Sequence, residues 1–233
     1  MAQITPPPPP RTRWYVVISL FFCIVGLIAF FKLADEIAEM NFIARFDSDF
    51  GRALSSGVTS NWLIFYLAIS YIGGQGSTLA AALAAGWAIW FRRWRYLLFV
   101  AVAWGGAGIL TFALKAWFNR PRPAFANPAA IELNASFPSG HALFSLVMFG
   151  LLAYFLWYRD RRPIVRILVV GITTILVLLV GISRLALGVH YLSDVLAGYA
   201  AGGVWLSVCI AAMSVLEHRA YWQKYPSKVP STL

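Results

Sequence analysis

The chain has 233 residues, of which 60% are apolar and only 12% charged, with a net charge of +10 and a mean hydropathy of +0.71. Soluble domains carry about 25% charged residues, so this composition excludes an ordinary water-soluble enzyme and points to a membrane protein. The basic residues lie in short clusters between apolar runs, not along one polar face, which argues against a nucleic-acid partner.

In chain order, residues 1–13 contain a run of five prolines that cannot form helix, and they are predicted to be a disordered cytoplasmic tail. Crossing a bilayer takes about 20 apolar residues. Residues 14–33 meet that length and are predicted to be a retained first span and not a cleaved signal. Residues 34–56 are acidic, yet Ile37, Met40, Ile43, Phe46, Phe50 and Leu54 recur at helical steps. This pattern predicts an amphipathic helix at the outer interface.

Residues 62–91 form a stretch too long for one upright span and too short for two, with Gly73, Gly74 and Gly76 inside it. The glycines predict a break or bend, with one span over 76–91 and an upper piece outside the membrane. Residues 96–118, 142–158, 164–182 and 191–216 supply four more spans. The predicted fold is therefore an all-α integral membrane protein. It has six transmembrane helices in one domain over 14–218, an outer interfacial amphipathic helix, and a loose cytoplasmic tail over 219–233. Cys23 and Cys209 both lie inside apolar runs, which argues against a disulfide.

With six spans, twelve of the 19 Lys and Arg residues fall on one side, including Arg92, Arg93, Arg95, Arg159, Arg161 and Arg162. The excess of positive charge places both termini in the cytoplasm and the connections after spans three and five outside.

Those two outer connections carry the chain's unusual polar residues. The first contains Lys115 and, seven positions on, Arg122 followed by Pro123. Two neighbouring cations require an anion between them. Next comes Pro138-Ser139-Gly140-His141, directly before the fourth span. Small residues with free N–H groups at a helix start can cradle an anion, with Ser139 as cap and donor and Gly140 allowing close approach. The third cluster runs from Ser183-Arg184 to His190 and Asp194. Asp194, four residues beyond His190, can hold the imidazole in one tautomer. Arg184 offers a fork suited to phosphate oxygens.

Three cations, a backbone cradle, two histidines and one carboxylate suit phosphoryl transfer through a covalent histidine. A metal site is not expected, and neither zinc spacing nor a nucleotide-binding loop is present in the sequence.

The three clusters resemble the signature of the type 2 phosphatidic acid phosphatase superfamily: K-x6-R-P over 115–123, P-S-G-H over 138–141, and S-R-x5-H-x3-D over 183–194. The resemblance implies that His190 attacks phosphorus, Asp194 orients it, and His141 protonates the leaving group. It assigns Lys115, Arg122 and Arg184 to phosphate binding, with added hydrogen bonds from Ser139 and Gly140, and it implies catalysis with no cofactor or metal. Arg120 lies outside the signature and is expected to make a rim contact.

The expected substrate is a lipid phosphomonoester or diphosphate in the cell (inner) membrane, met on the periplasmic face: undecaprenyl diphosphate, phosphatidylglycerophosphate or phosphatidic acid. Lipid phosphotransfer, lipid A dephosphorylation and non-enzymatic binding or transport of an anionic lipid are the alternatives.

Overall fold

The computed structural model describes residues 12–38, 42–130, 132–159 and 162–224. Their order is α1 (Thr12–Ala38), α2 (Phe42–Ser56), α3 (Ser60–Tyr71), a π-helical turn (Ile72–Gly76), α4 (Ser77–Trp90), α5 (Trp94–Phe118), α6 (Gly140–Arg159), α7 (Pro163–Ala186) and α8 (Leu192–Lys224). Among the described residues six helical stretches are long and apolar enough to cross a membrane, with α3 and α4 joined through the π turn as one. The count of six spans expected from the sequence therefore holds.

Burial from water does not drive this assembly. Ile109, Phe112, Ile167 and Ile172 on the outer faces are exposed, as lipid-facing residues are. Inside, small residues let the helices approach. Ala103 and Ala107 of α5, Ala142 of α6, and Ala197 and Ala201 of α8 are buried in the centre of the bundle. α8 is the central helix, packed along both α1 and α6. Half-buried polar groups cross-link the bundle: Trp205 Nε1 donates to Ala103 O at 2.9 Å and Tyr199 Oη to Val177 O at 2.6 Å.

Of the break or bend expected at the glycines, no break forms, and the upper piece belongs to the same span-length stretch, Ser60–Trp90. The helix continues through a π turn over Ile72–Gly76. A side chain at Gly73 would lie 2.3 Å from Val180 of α7, and one at Gly74 would lie 2.6 Å from His141 Nε2. The glycines are there because two neighbouring helices press against this turn, and the extra residue of a π turn absorbs the register change.

Two further boundaries differ from the sequence expectation. The amphipathic segment is divided: 34–38 belong to α1, and the separate helix α2 covers Phe42–Ser56, while 39–41 lie outside the described residues. α8 continues to Lys224, so 219–224 are helical, not loose. The rest of that tail, and residues 1–11 of the N-terminal one, lie outside the described residues.

The end of the bundle that carries the motifs is built by chain reversals. α5 stops where Asn119 adopts the left-handed conformation at φ 40° and its N–H closes onto Lys115 O at 3.0 Å. Gly188 takes φ +67° between α7 and α8, and a side chain there would strike Phe125 O at 2.7 Å. Phe137, fully buried beneath the α5–α6 loop, packs against Phe30 of α1 and Phe118 of α5, with ring centroids 5.7 and 4.7 Å away. That aromatic floor fixes the loop whose next residues are Pro138, Ser139, Gly140 and His141.

Candidate active site

The sequence clusters meet at this end. Lys115 and Arg184 sit in the last turns of α5 and α7, one turn inside the helices and not in the connecting loops. Arg122 is in the α5–α6 loop, His141 in the first turn of α6, His190 in the α7–α8 loop and Asp194 in the first turn of α8. His190 and Asp194 are fully buried, and Arg184 is 3% exposed.

His190 Nδ1 lies 3.4 Å from Asp194 Oδ2, and Ser136 Oγ donates to the same carboxylate oxygen. The Tyr191 N–H adds a third contact to Oδ2 at 2.9 Å. On the other side of the ring, His190 Nε2 lies 3.3 Å from Arg122 Nη1. A guanidinium can only donate, so this contact requires a lone pair on Nε2. The ring proton then belongs on Nδ1, facing the carboxylate. Burial pushes His190 down to about 4, against the opposing pull of Asp194, so the ring is neutral near pH 7.

Arg122 and Arg184 converge on Glu132. Arg122 Nη2 reaches Glu132 Oε2 at 2.7 Å, Arg184 Nη2 donates to Oε1, and His141 Nδ1 lies 3.8 Å from Oε1. Burial would raise the Glu132 carboxyl, but Arg184, His141 and Arg122 outweigh it and hold it at about 2. Arg122 is also anchored by the carbonyls of Asn134 and Val189, each at 2.7 Å, and Arg184 by Ser70 Oγ. Lys115 Nζ donates to Ala135 O and to Asn134 Oδ1, the latter at 3.3 Å.

Ser139 differs from the expected cap. Its backbone N–H donates to Asp194 O at 2.9 Å, tying α6 to α8, while its buried Oγ has no hydrogen-bond partner among the described residues. The same holds for Arg184 Nε. Two buried donors without acceptors are costly beside a cation cluster unless an anion completes them. Gly140 is not demanded by protein packing, since a side chain there would make only ordinary contacts with Thr111 and Lys115.

Arg120 departs most from its expectation. It is no rim contact: its side chain is 11% exposed, and Nη1 donates to Asp194 Oδ1 at 2.6 Å. Glu132, Asn134, Ser136 and Asp47 also escaped the sequence reading. For Glu132 a signal existed, since it is the only carboxylate between Asp49 and Asp160 and shares its loop with two arginines.

A cavity of about 670 Å³ opens beside the cluster. Lys115, Glu132 and His141 line one part, and Trp104, Phe112 and Phe144 line another. Charged and apolar walls thus meet in one space. No group of three or more His, Cys, Asp or Glu placed to hold a metal occurs among the described residues.

Residues 94–217 match the PAP2 superfamily. Over 186 residues, 76% of this chain and 88% of the relative, the sequence is 32% identical to phosphatidylglycerophosphatase B of Bacillus subtilis (strain 168). The fold is similar to the crystal structure of a transmembrane PAP2 type phosphatidylglycerolphosphate phosphatase from Bacillus subtilis, with a TM-score of 0.71 and 26% identity across 91% of this chain and 100% of that one. Aquifex aeolicus LpxE shares the fold at a TM-score of 0.54 and 20% identity, with 73% of this chain and 95% of that one covered. The chain belongs to the PAP2 superfamily and is a multi-pass membrane phosphatase of the PAP2 lipid phosphatase type.

Proposed function

We propose that this enzyme hydrolyses a lipid phosphomonoester or diphosphate through a phosphohistidine on His190. The observation that carries the proposal is the pair of contacts made by the His190 ring. Nδ1 faces Asp194 and Nε2 faces Arg122. A neutral imidazole so held presents its Nε2 lone pair toward the cation cluster, where a phosphate would be clamped.

In the first half-reaction Nε2 attacks phosphorus and the bond to the lipid oxygen breaks. His141 gives a proton to that oxygen, while Asp194 stabilises the imidazolium formed at His190. In the second, water attacks the phosphohistidine, its proton passes to His141, and the N–P bond breaks to release phosphate. Lys115, Arg122 and Arg184 neutralise the equatorial oxygens, and the Ser139 hydroxyl and Gly140 N–H donate to them. Substrate phosphate takes the place of the Glu132 carboxylate between Arg122 and Arg184.

The cavity suits an amphiphile: its phosphate at Lys115 and His141, its chain along Trp104, Phe112 and Phe144. The Bacillus relative is named for phosphatidylglycerophosphate. That lipid, phosphatidic acid and undecaprenyl diphosphate are the substrate panel, with lipid A phosphates as a further arm. The distribution of Lys and Arg supports a site on the periplasmic face with both termini in the cytoplasm.

Phosphate release by purified protein across this panel, with chelator present, tests the reading. Release is expected with wild type and absent with His190→Ala, and an acid-labile phosphohistidine should be trapped in wild type only. Turnover that stops on chelation would overturn the metal-free mechanism. Adding an acceptor alcohol and finding a phosphorylated lipid would reassign the second step to phosphotransfer.

A further inference from the structure

Asp47, on α2, is almost wholly buried at 1% exposure. It accepts the Ser193 N–H at 3.0 Å, the Ser193 hydroxyl, and Arg120 Nη2 at 3.3 Å. Arg120 spends its other terminal nitrogen on Ser193 Oγ at 2.8 Å and Asp194 Oδ1 at 2.6 Å. Its guanidinium lies 4.1 Å over the Tyr191 ring, and its carbonyl accepts the N–H of Ser136, the residue that also bonds Asp194.

Anchoring a helix would not need this arrangement. Burying a carboxylate is costly, and an apolar side chain could hold α2 against α8 at less expense. What a second carboxylate does is divide one cation. With Asp47 present, Arg120 is held between two anions. Its fork is fixed in orientation, and Asp194 keeps more of its charge for the imidazole of His190. Without Asp47, Arg120 would be drawn wholly to Asp194, pulling its carboxylate away from His190 and lowering its value as a partner for the imidazolium.

We propose that Asp47 is a positioning residue for the phosphatase reaction, fixing Arg120, together with Ser193, so that the Asp194 carboxylate stays aimed at His190. The inference rests on the roles given above to His190 and Asp194. It also gives α2 a task beyond connection: beside the buried Asp47 the same helix carries the stacked, exposed pair Phe46 and Phe50, so one short helix meets both the surroundings and the Arg120 partner of Asp194.

The test is steady-state release of phosphate from phosphatidylglycerophosphate in mixed micelles. Asp47→Asn is expected to lower kcat about tenfold with KM within about twofold, as small misplacements of reacting groups do. Asp49→Asn, the same charge change at an exposed position of the same helix, should match wild type. Asp47→Asn combined with Arg120→Ala should cost no more than Arg120→Ala alone, because both break one chain of contacts. If Asp47→Asn is not recovered folded, Arg120→Lys carries the test, since it keeps the charge but loses the fork, and the same tenfold fall in kcat is expected. Wild-type kcat in Asp47→Asn or Arg120→Lys, or losses that add in the double variant, would overturn the proposal. His190→Ala run alongside separates the two failures: an active His190→Ala sinks the underlying mechanism, whereas an inactive one with a wild-type Asp47→Asn sinks only this inference.

Discussion

The two ends of the helical bundle use arginine in opposite ways. At the α4–α5 turn Arg92, Arg93 and Arg95 are exposed around a groove of about 510 Å³ that also includes Trp94 and Glu217. At the α5–α6 and α7–α8 end Arg120, Arg122 and Arg184 are withdrawn from solvent, and each is held by two or more oxygen acceptors. Exposed arginines hold the ends of spans in headgroups and tolerate replacement. Buried ones cost desolvation and persist where their charge is used. The contrast separates exposed charge, which suits the end of a span, from buried charge, which suits a site that uses it.

Substitutions can break or sharpen that contrast. The largest effect is expected at the buried end: His190→Ala should lower phosphate release by at least about 10³-fold with the protein still folded by thermal melt in detergent. Arg184→Lys keeps the charge but loses the fork, and kcat/KM should fall about 100-fold. A fall below threefold would mean that Arg184 acts only as a point charge.

The pH profile comes next. With His190 held at about 4, the free enzyme keeps a neutral imidazole as pH falls from 7 to 5 and loses it only as pH falls through about 4. At pH 5 an ordinary histidine would be mostly protonated, so kcat/KM should exceed that of such a group by about thirtyfold. An acid limb near 6.5 in kcat/KM would contradict the buried, neutral nucleophile.

Glu132→Gln should strengthen inhibition by inorganic phosphate about tenfold, since one charge-assisted competitor is removed. Thermal stability should fall, because Arg122 and Arg184 lose their counter-charge. The smallest effect belongs to the exposed end, where Arg92→Gln with Arg93→Gln should leave kcat/KM within about twofold of wild type.

Much of this contrast was legible in the sequence. Apolar length, with the glycines inside residues 62–91 and the alternation of Lys and Arg across the connections, yields the six spans, and that topology already brings Lys115, Arg122, His141, Arg184, His190 and Asp194 to one end. Contacts set by distant segments were not legible. Gly73 and Gly74 read as a helix break or bend because their neighbours Val180 and His141 lie about 70 to 110 positions away in the chain. Arg120 read as peripheral because its partners Asp47 and Asp194 come from two other helices. Glu132 sits in a loop without periodicity, so its isolation as a carboxylate beside two arginines was the sole local signal, and its contacts with Arg184 and His141 depend on other helices.

Glu132 also bears on how a turnover ends. A carboxylate attached to the same loop as Arg122 competes at an effective concentration fixed by the chain, in the millimolar range for short flexible tethers. Under the proposed mechanism, phosphate freed from His190 faces that rival at the moment of its formation. An enzyme whose product carries the same charge and clamp contacts as its substrate is otherwise prone to being stalled by it. The tethered rival favours product departure, and the lipid, which brings chain contacts along Trp104, Phe112 and Phe144 that free phosphate lacks, can still displace it.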